Sequence, residues 1–592
     1  MAVPIIRRRT AALAAGALVV ASGAVAAALS STTAQAASSA CTVDYTVSSQ
    51  WDSGFTASVT VTNNGAATTS WKVGWSFAGN QKVTQGWSAD ISQSGSGVTA
   101  SSLSYNGTLA SGGSVDFGFN GSYSGANAVP TAFTLNGVAC GAAGGDDGGT
   151  TGGGTTTPPT TPPTTPPTTP PSGGDGQRVD NPYVGAKGYV NPEWSSEASA
   201  DGGAAIADES TAVWLDRIAA INGVDGAMGL KDHLDEAVAQ ANGQPLTVEF
   251  VIYDLPGRDC AALASNGELG PDDLSTYETQ YIDPIASIMS DPAYANLRIV
   301  NIIEPDSLPN IVTNASGEAG STAACATMKQ NGNYEKGVGY ALAKLGALSN
   351  TYNYIDAGHH AWLGWDSNFV PAAQEFLKAA TTSGATVHDV QGFITNTANY
   401  SATVEPNFKV TDNVNGTTVR QSKWVDWNNY VDEQSYATAL RTELVSVGFD
   451  STIGMLIDTG RNGWGGTSRP TAPGATTSVD TYVDGGRIDR RIHAGNWCNQ
   501  SGAGIGERPT AAPAAGLDAY VWIKPPGESD GSSKAIANDE GKGFDQMCDP
   551  TYGGNARNGN NPTGALPDSP LAGHWFSAQF HQLLQNAYPP LS

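Results

Sequence analysis

Two hydrophobic patterns divide the chain, and the first lies between Cys41 and Cys140. Short runs there alternate apolar and polar residues, as in 55–62, and Asn-Asn-Gly and Ser-Gly-Gly turns separate the runs. This pattern predicts an all-β sandwich of about 100 residues. Three aromatic side chains of one run share a face and are predicted to lie in the core: Trp71, Trp75 and Phe77.

The second pattern begins near residue 181, where helical and strand-like segments alternate. Over roughly 400 residues this alternation predicts a parallel, barrel-type α/β domain. The predicted helices are 211–221, 275–290, 334–350, 371–383 and 433–447. The predicted strands are 246–253, 297–303, 353–355, 388–394, 453–457 and 519–523.

Residues 1–36 have the composition of a secretory signal peptide. Three arginines at 7–9 precede an apolar stretch at 11–29, and Ala34-Gln35-Ala36 provides a small-residue cleavage site. The many alanines and this site disfavour an uncleaved membrane anchor, and the arginines leave the twin-arginine export route open. We therefore expect a secreted, extracellular protein that has no transmembrane segment.

The remaining boundaries follow from composition. Residues 37–140 form the β module, 141–180 are a linker rich in Gly, Thr and Pro, and 181–592 form the large domain. Repeated Thr-Thr-Pro-Pro units favour an extended spacer that holds the two folded parts at a high effective concentration.

The net charge and the cysteine content indicate which kinds of partner the protein can bind and in which compartment it folds. A net charge of −26 disfavours nucleic acid and anionic membranes as partners but would not repel a neutral polymer. Six cysteines in an exported chain predict disulfides. They fall into sequential pairs along the chain, which favours the pairing 41–140, 260–325 and 498–548, although sequence alone does not prove it.

Acidic residues follow the predicted strands. Asp254 and Asp259 come after 246–253 with Arg258 between them, and Asp306 comes after 297–303. Since strand ends of a parallel barrel meet at one rim, these carboxyls should lie close together with pKa values pushed apart. We expect Arg258 to keep Asp254 or Asp259 ionised.

Other reactive and aromatic residues follow the later strands. They are Asp356, His359, Trp362, Trp365, Asn396, Asn399, Asp458, Arg461, Lys524, Glu528 and Asp530. Tryptophans beside carboxylates suit a sugar site, because rings stack on pyranose faces while acids and amides bind hydroxyls.

Several other classes of site are disfavoured. The chain lacks a GxGxxG or P-loop before a helix and an HExxH motif, so we expect no cofactor. His359 and His360 are adjacent and point apart without a third ligand nearby, so we expect no metal. Predicted cleavage leaves Ala37 rather than histidine at the terminus, which argues against a copper oxidase.

The β module resembles family 2 carbohydrate-binding modules of the cellulose-binding type across 41–140. The resemblance rests on the two end cysteines and on 83–88, 117–121 and 130–136. It implies a flat platform of three aromatic side chains that stack on cellulose: Trp51, Trp87 and Tyr105. Tyrosine at the third position, where the family more often has tryptophan, would weaken the platform slightly.

The large domain resembles glycoside hydrolase family 6 over roughly 181–592. The matching stretches are 253–267, 303–307, 356–359, 497–499 and 524–531. The resemblance implies a distorted, incomplete barrel that hydrolyses β-1,4-glucan with inversion, with Asp306 as general acid, Asp259 as its supporting carboxylate and Asp530 as the disputed base. Residues implied to shape the sugar, position water or bind substrate are Tyr253, Arg258, Ser265, His359, Trp362, Trp365, Asn396, Trp497, Lys524 and Glu528.

Three long insertions bear on the mode of action: 404–431, 462–495 and 530–567. We interpret them as covers of a tunnel, which resembles exo-acting bacterial members and favours release of cellobiose from non-reducing chain ends by a monomeric enzyme. An endo-acting glucanase with an open cleft is the main alternative. A non-catalytic cellulose-binding protein is disfavoured because it would have no reason to keep Asp259, Asp306 and Asp530.

Overall fold

The computed structural model describes residues 41–51, 54–87, 89–103, 106–125, 127–142, 178–224, 226–315 and 321–591. Contacts group the chain into two compact units that divide after Thr164. The predicted signal peptide and most of the predicted linker lie outside the described residues. Within the described ranges, no helix combines the length and the apolar composition needed to cross a bilayer.

The described part of the N-terminal unit forms two five-stranded sheets, β10-β1-β2-β7-β4 and β5-β6-β3-β8-β9. The strands are β1 Cys41–Trp51, β2 Gly54–Asn63, β3 Lys72–Ser76, β4 Lys82–Trp87, β5 Asp90–Ser94, β6 Gly97–Ser101, β7 Ser114–Ser122, β8 Phe133–Leu135, β9 Val138–Ala139 and β10 Gly141–Ala142. Trp71, Trp75 and Phe77 are buried, as predicted. The Cys41–Cys140 disulfide joins the first and last parts of the fold.

The second unit contains a nine-stranded sheet among its described residues, in the order β11-β13-β14-β15-β16-β19-β21-β20, with β12 also paired to β13. All of its pairings are parallel except that of the edge strand β20. The strands are β11 Lys187–Gly188, β12 Val213–Leu215, β13 Leu246–Ile252, β14 Leu297–Ile303, β15 Thr351–Asp356, β16 Gly392–Thr395, β19 Gly454–Asp458, β20 Thr510–Ala511 and β21 Leu517–Val521. A separate hairpin joins β17 Asn413–Val414 and β18 Thr417–Thr418.

The sheet curls until its two sides meet, which gives the distorted barrel. The N–H of Ala212, next to β12, donates to the carbonyl of Trp522, next to β21, over 3.2 Å. The indole Nε1 of Trp214 donates to the Ile523 carbonyl over 2.8 Å across the same seam. Alternate strand residues fill the interior, among them Val251, Val300, Ile302, Tyr354, Ile394, Leu456 and Val521.

Most of the helices cover the outer face of the sheet, where the other set of strand residues packs, whereas α1 and α12 pack in a separate cluster with Trp522, and α11 packs with the insertions. The helices are α1 Pro192–Ala200, α2 Leu230–Ala241, α3 Leu274–Thr276, α4 Asp283–Met289, α5 Leu308–Thr313, α6 Ala323–Asn331, α7 Asn333–Gly346, α8 His360–Leu363, α9 Asp366–Ala380, α10 Glu433–Val447, α11 Val479–Gly486 and α12 Ser577–Gln585, with a π-helical turn at Tyr277–Ile282. The predicted helix at 211–221 is wrong. Its β-branched and aromatic start forms β12, which pairs with Phe250–Ile252 and is followed by a 3₁₀ turn.

Candidate active site

Four polar residues in the first turns after barrel strands, and Asn499 in the long segment after β19, have left-handed backbone conformations. Their φ values are 54° at Asp259, 46° at Glu304, 59° at Asp306, 64° at Asn396 and 40° at Asn499. Such conformations are costly for residues other than glycine and concentrate at functional sites. Glu304, Asp306 and Asn396 turn the chain sharply at the carboxyl ends of β14 and β16, where barrel enzymes place their chemistry.

Asp306 is half-buried two residues beyond Glu304 and lies among other carboxyl groups. Its backbone N–H donates to Oδ2 of Asp356 over 3.0 Å. Burial, followed by the charges of Asp259, Asp356 and Asp530, raises the pKa of Asp306 well above its ordinary value. A carboxyl group in this setting can keep its proton near neutral pH and act as an acid.

Asp259 is buried and hydrogen-bonded. The Tyr253 hydroxyl donates to Asp259 Oδ2 over 2.7 Å, and the Ser265 side chain also bonds to this carboxyl group. Burial raises the pKa of Asp259 to about 6, against the lowering effects of Ser265, Tyr253 and Arg258. The structure thus brings together three of the predicted site residues, Asp259, Tyr253 and Ser265, and their roles stay predictions.

Asp530 is bound by donors on both oxygens. Arg461 donates to Oδ1 over 2.8 Å and to Oδ2 over 2.9 Å, the Tyr400 hydroxyl donates to Oδ2 over 2.5 Å, and the Asn499 N–H donates to Oδ2 over 2.8 Å. Oδ1 therefore accepts one of these bonds while Oδ2 accepts three. A carboxylate oxygen has about two lone pairs, so Oδ1 retains one for a water molecule.

Glu304 and Asp254 are two further buried acidic residues, and they follow the neighbouring strands β14 and β13. Glu304 accepts the N–H groups of Asp254 and Leu255 over 3.2 and 3.1 Å and the Tyr277 hydroxyl over 2.8 Å. These bonds fix the end of β13 to the end of β14. Burial raises the pKa of Glu304 to about 7.

Two predicted substrate-binding residues bond to backbone carbonyls in the structure. Arg258 is buried, and its guanidinium donates to the carbonyls of Ser265 and Asn266 over 2.8 and 2.9 Å and stacks 4.1 Å from the Tyr253 ring. Asn396 is fully buried and donates to the Asp458 carbonyl over 2.8 Å. Both side chains therefore hold the loops of the site, and their contact with substrate stays a prediction.

Arg258 also does not hold Asp254 in its ionised form. Among the described residues, no group donates a hydrogen bond to either carboxyl oxygen of Asp254. The distance from Arg258 Nη1 to Asp254 Oδ1 is 4.0 Å. Burial raises the pKa of Asp254 to about 9, so this carboxyl is neutral at physiological pH.

Aromatic and polar side chains follow β15, the strand that ends at Asp356: His359 is buried, and Trp362 and Trp365 are half-buried. The Trp362 and Trp365 indoles donate to Thr313 Oγ1 and to the Asp426 carbonyl over 2.8 and 2.7 Å, which fixes both rings. Burial lowers the pKa of His359 well below its ordinary value, and among the described residues nothing bonds to its Nδ1. A neutral imidazole with an unused nitrogen is suited to a sugar hydroxyl.

In the segment that follows β21, Lys524 and Glu528 form an ion pair of 3.4 Å. Lys524 Nζ lies 5.2 Å from the Trp214 ring. Trp497 is half-buried against Ala264 and the Cys498–Cys548 disulfide. The structure also contains the Cys260–Cys325 disulfide, so all three predicted pairings are confirmed.

The predicted binding aromatics of the β module cannot be compared with the structure. Trp51 and Trp87 lie at strand ends, but their side chains, like all of Tyr105, lie outside the described residues.

The first two insertions pack on one another beside the strand ends. Their shared apolar cluster contains Phe408, Val419, Val425 and Val483. The Asn407 side chain donates to the Gly486 carbonyl over 2.8 Å. These segments are therefore folded structure rather than loose loops.

The third insertion extends the same band of contacts. Asn558 Nδ2 donates to Asn496 Oδ1 over 2.9 Å, and the Gly543 N–H donates to the Leu263 carbonyl over 2.9 Å. Arg557 donates to the Ala261 carbonyl over 2.7 Å. The insertions thus connect the loops after β13, β16 and β19 around the carboxyl cluster.

Residues 181–587 match the family model "Glycosyl hydrolases family 6", and 41–140 match "Cellulose binding domain". The chain belongs to glycosyl hydrolase family 6. Exoglucanase A from Cellulomonas fimi is 51% identical over 432 residues, or 69% of this chain, and the chain spans 49% of that relative. The 1,4-beta-D-glucan cellobiohydrolase CEL6C from Podospora anserina is 35% identical over 65% of this chain and 79% of its own.

Solved family 6 structures agree with the fold. The catalytic domain of Cellulomonas fimi Cel6B has a TM-score of 0.67 and 49% identity, covering 70% of this chain and 97% of its own. Cellobiohydrolase II from Humicola insolens, in complex with glucose and cellotetraose, has a TM-score of 0.54 and 31% identity, covering 69% of this chain and 99% of its own.

Four residues outside the predicted catalytic and substrate-binding sets contact the carboxyl cluster: Asp356, Tyr400, Arg461 and Asn499. The strand-end pattern places Asp356 and Arg461 at this rim without assigning them a role. Tyr400 and Asn499 give no comparable signal, because long loops bring them to Asp530.

Proposed function

We propose that the protein is a secreted cellulase that hydrolyses β-1,4-glucosidic bonds with inversion and releases cellobiose from non-reducing chain ends. The observation that carries this proposal is the half-buried Asp306, whose backbone bonds to Asp356 among carboxyl groups that raise its pKa, together with tryptophans that hydrogen bonds hold in place. Inversion needs an acid at the leaving oxygen and a base that activates water on the opposite face of the sugar.

In this mechanism Asp306 donates its proton to the glycosidic oxygen as the bond to the anomeric carbon breaks. Asp530 is our candidate base, since its Oδ1 has a lone pair for the attacking water while Arg461 balances its charge. Asp259, with Tyr253 and Ser265, keeps the pKa of Asp306 high and holds polar groups beside the reacting sugar.

The substrate sites follow from the surrounding side chains. We assign sugar stacking to Trp362, Trp365 and Trp497, and hydroxyl binding to His359, Lys524 and Glu528. The packing of the insertions on one another and on the loop after β13 supports a covered site and therefore action from chain ends. The relatives named exoglucanase and cellobiohydrolase support the same assignment.

The N-terminal unit adds attachment to the solid substrate. We assign cellulose adsorption to Trp51, Trp87 and Tyr105 and expect the catalytic unit to act as a monomer near the attachment point. The 37–140, 141–180 and 181–592 boundaries remain our proposed division into module, linker and catalytic domain.

The test combines an acid-disabled variant with the stereochemistry of the product. We expect Asp306→Ala to adsorb to cellulose normally and to lose at least about 100-fold of its hydrolysis rate, because the general acid is absent. Proton NMR of the first cellobiose released by the unmodified protein should show the α-anomer. Asp208→Ala, at an exposed site, is the matched control. Retained turnover in Asp306→Ala, or an initial β-anomer, contradicts the proposal.

A further inference from the structure

Trp427, in the insertion 404–431, is an exposed aromatic residue in a costly backbone conformation. Its exposed fraction is 56%, and its φ is 67°. The preceding residue, Asp426, is also left-handed, with φ of 46°. A single exposed aromatic needs no explanation, but consecutive left-handed residues other than glycine persist only where the surrounding structure enforces them.

The surrounding structure holds the Trp427 backbone from two sides. Its N–H donates to the Arg420 carbonyl over 2.7 Å, and Arg420 Nε donates back to the Trp427 carbonyl over 2.9 Å. The same guanidinium forms an ion pair of 3.1 Å with Asp366 at the start of α9. The backbone that carries the exposed ring is therefore fixed to the catalytic domain.

The same turn is joined directly to Trp365. The Trp365 indole donates to the carbonyl of Asp426 over 2.7 Å, and that carbonyl belongs to the peptide group that leads into Trp427. Asn428, on the other side of Trp427, donates to the His360 carbonyl over 2.8 Å. One peptide group thus lies between the proposed sugar-stacking ring of Trp365 and the exposed ring of Trp427.

We propose that Trp427 is an outer binding site for the glucan chain, which continues past Trp365 and stacks a pyranose ring on the Trp427 indole. This inference rests on the proposed function. The occupant is a β-glucan chain because the peptide group before Trp427 is bonded to the indole of the proposed stacking residue Trp365, and because an uncharged apolar sugar face suits an indole beside a protein of net charge −26. The strained backbone is kept for the position of the ring.

The test compares long and short substrates in the full-length protein. Rates on swollen cellulose are divided by kcat/KM on cellotetraose, so that losses common to both substrates cancel. We expect Trp427→Ala to lower this ratio about threefold to tenfold, the range of one aromatic stacking contact. Trp427→Phe should retain most of the ratio, and Val404→Ala, an exposed aliphatic side chain of the same insertion, should leave it unchanged.

A second variant separates binding from a structural role. Trp427→Gly removes the ring and also relieves the left-handed strain, so its Tm should equal or exceed that of the parent while the ratio falls as in Trp427→Ala. An unchanged ratio in Trp427→Ala, or a lower Tm in Trp427→Gly, overturns the inference. If the unmodified protein hydrolyses neither substrate, the proposed function fails together with the inference. If it hydrolyses both substrates and only the Trp427 results disagree, the inference alone fails.

Discussion

Replacement of Asp356 by asparagine should move the alkaline limb of the pH–activity profile to lower pH. Asp356 accepts the Asp306 N–H over 3.0 Å and the Gly358 N–H over 3.2 Å, and an amide oxygen can accept both bonds. The substitution therefore removes a negative charge with little change in geometry. Since that charge is one of the causes that raise the pKa of Asp306, its loss lowers this pKa.

The size of the shift in the Asp306 pKa depends on the contact between Asp356 and Asp306. Asp356 bonds to the backbone N–H of Asp306 rather than to its carboxyl group, and a neighbouring charge of this kind typically shifts a carboxyl pKa by about one to three units. Partial exposure of Asp306 reduces the expected shift to about one unit. Burial raises the pKa of Asp356 itself to about 6, so its charge, and hence the effect, is present mainly above that pH.

The assay is kcat/KM on cellotetraose between pH 4 and 9, which reports the ionisation of the free enzyme. A general acid works only while protonated, so a lower Asp306 pKa means that activity is lost at a lower pH. The control is Asp518→Asn, at a half-buried carboxyl that accepts the Tyr354 hydroxyl over 2.6 Å. An alkaline limb that stays in place or moves upward in Asp356→Asn would refute the proposed coupling of these carboxyls.

Three further predictions address stability, the insertions and the binding module. Arg461→Met should lower the free energy of unfolding by about 3–5 kcal/mol, because Asp530 stays buried without its cation; urea unfolding measures it, with exposed Lys423→Met as a nearly neutral control. Replacing Cys498 and Cys548 together by serine should lower the free energy of unfolding by about 4 kcal/mol in the chain-entropy model. The third insertion should then loosen, so the share of new reducing ends in the insoluble cellulose should rise. An unchanged share would show that this insertion does not determine action from chain ends. Trp87→Ala should weaken adsorption to crystalline cellulose more than activity on cellotetraose, unlike Thr99→Ala on the other sheet; equal losses on both substrates would contradict the assigned role.

The barrel could be predicted from sequence because its strands are apolar, buried runs that end in polar residues. Observed β14 and α10 coincide with the predicted 297–303 and 433–447. The error at 211–221 arose because spacing of apolar residues alone does not distinguish a helix from a short edge strand followed by a turn. The decisive interaction there is the non-local pairing of Val213–Leu215 with β13.

The candidate site was predictable in its residues but less so in their roles. Arg258 and Asn396 follow strands, as substrate-binding residues do, yet their side chains bond to backbone carbonyls of neighbouring loops. A local pattern cannot show which way such a side chain turns. The partners of Asp530 come from three distant loops, so their convergence depends on tertiary packing.

The most direct test of the central claim is the product split on swollen cellulose. The full-length protein is incubated with the substrate, and soluble cellobiose is measured against new reducing ends in the washed solid. Action from chain ends beneath the packed insertions predicts that nearly all new ends appear as soluble cellobiose. A large insoluble share would show internal cleavage of the chains and contradict the covered, exo-acting site.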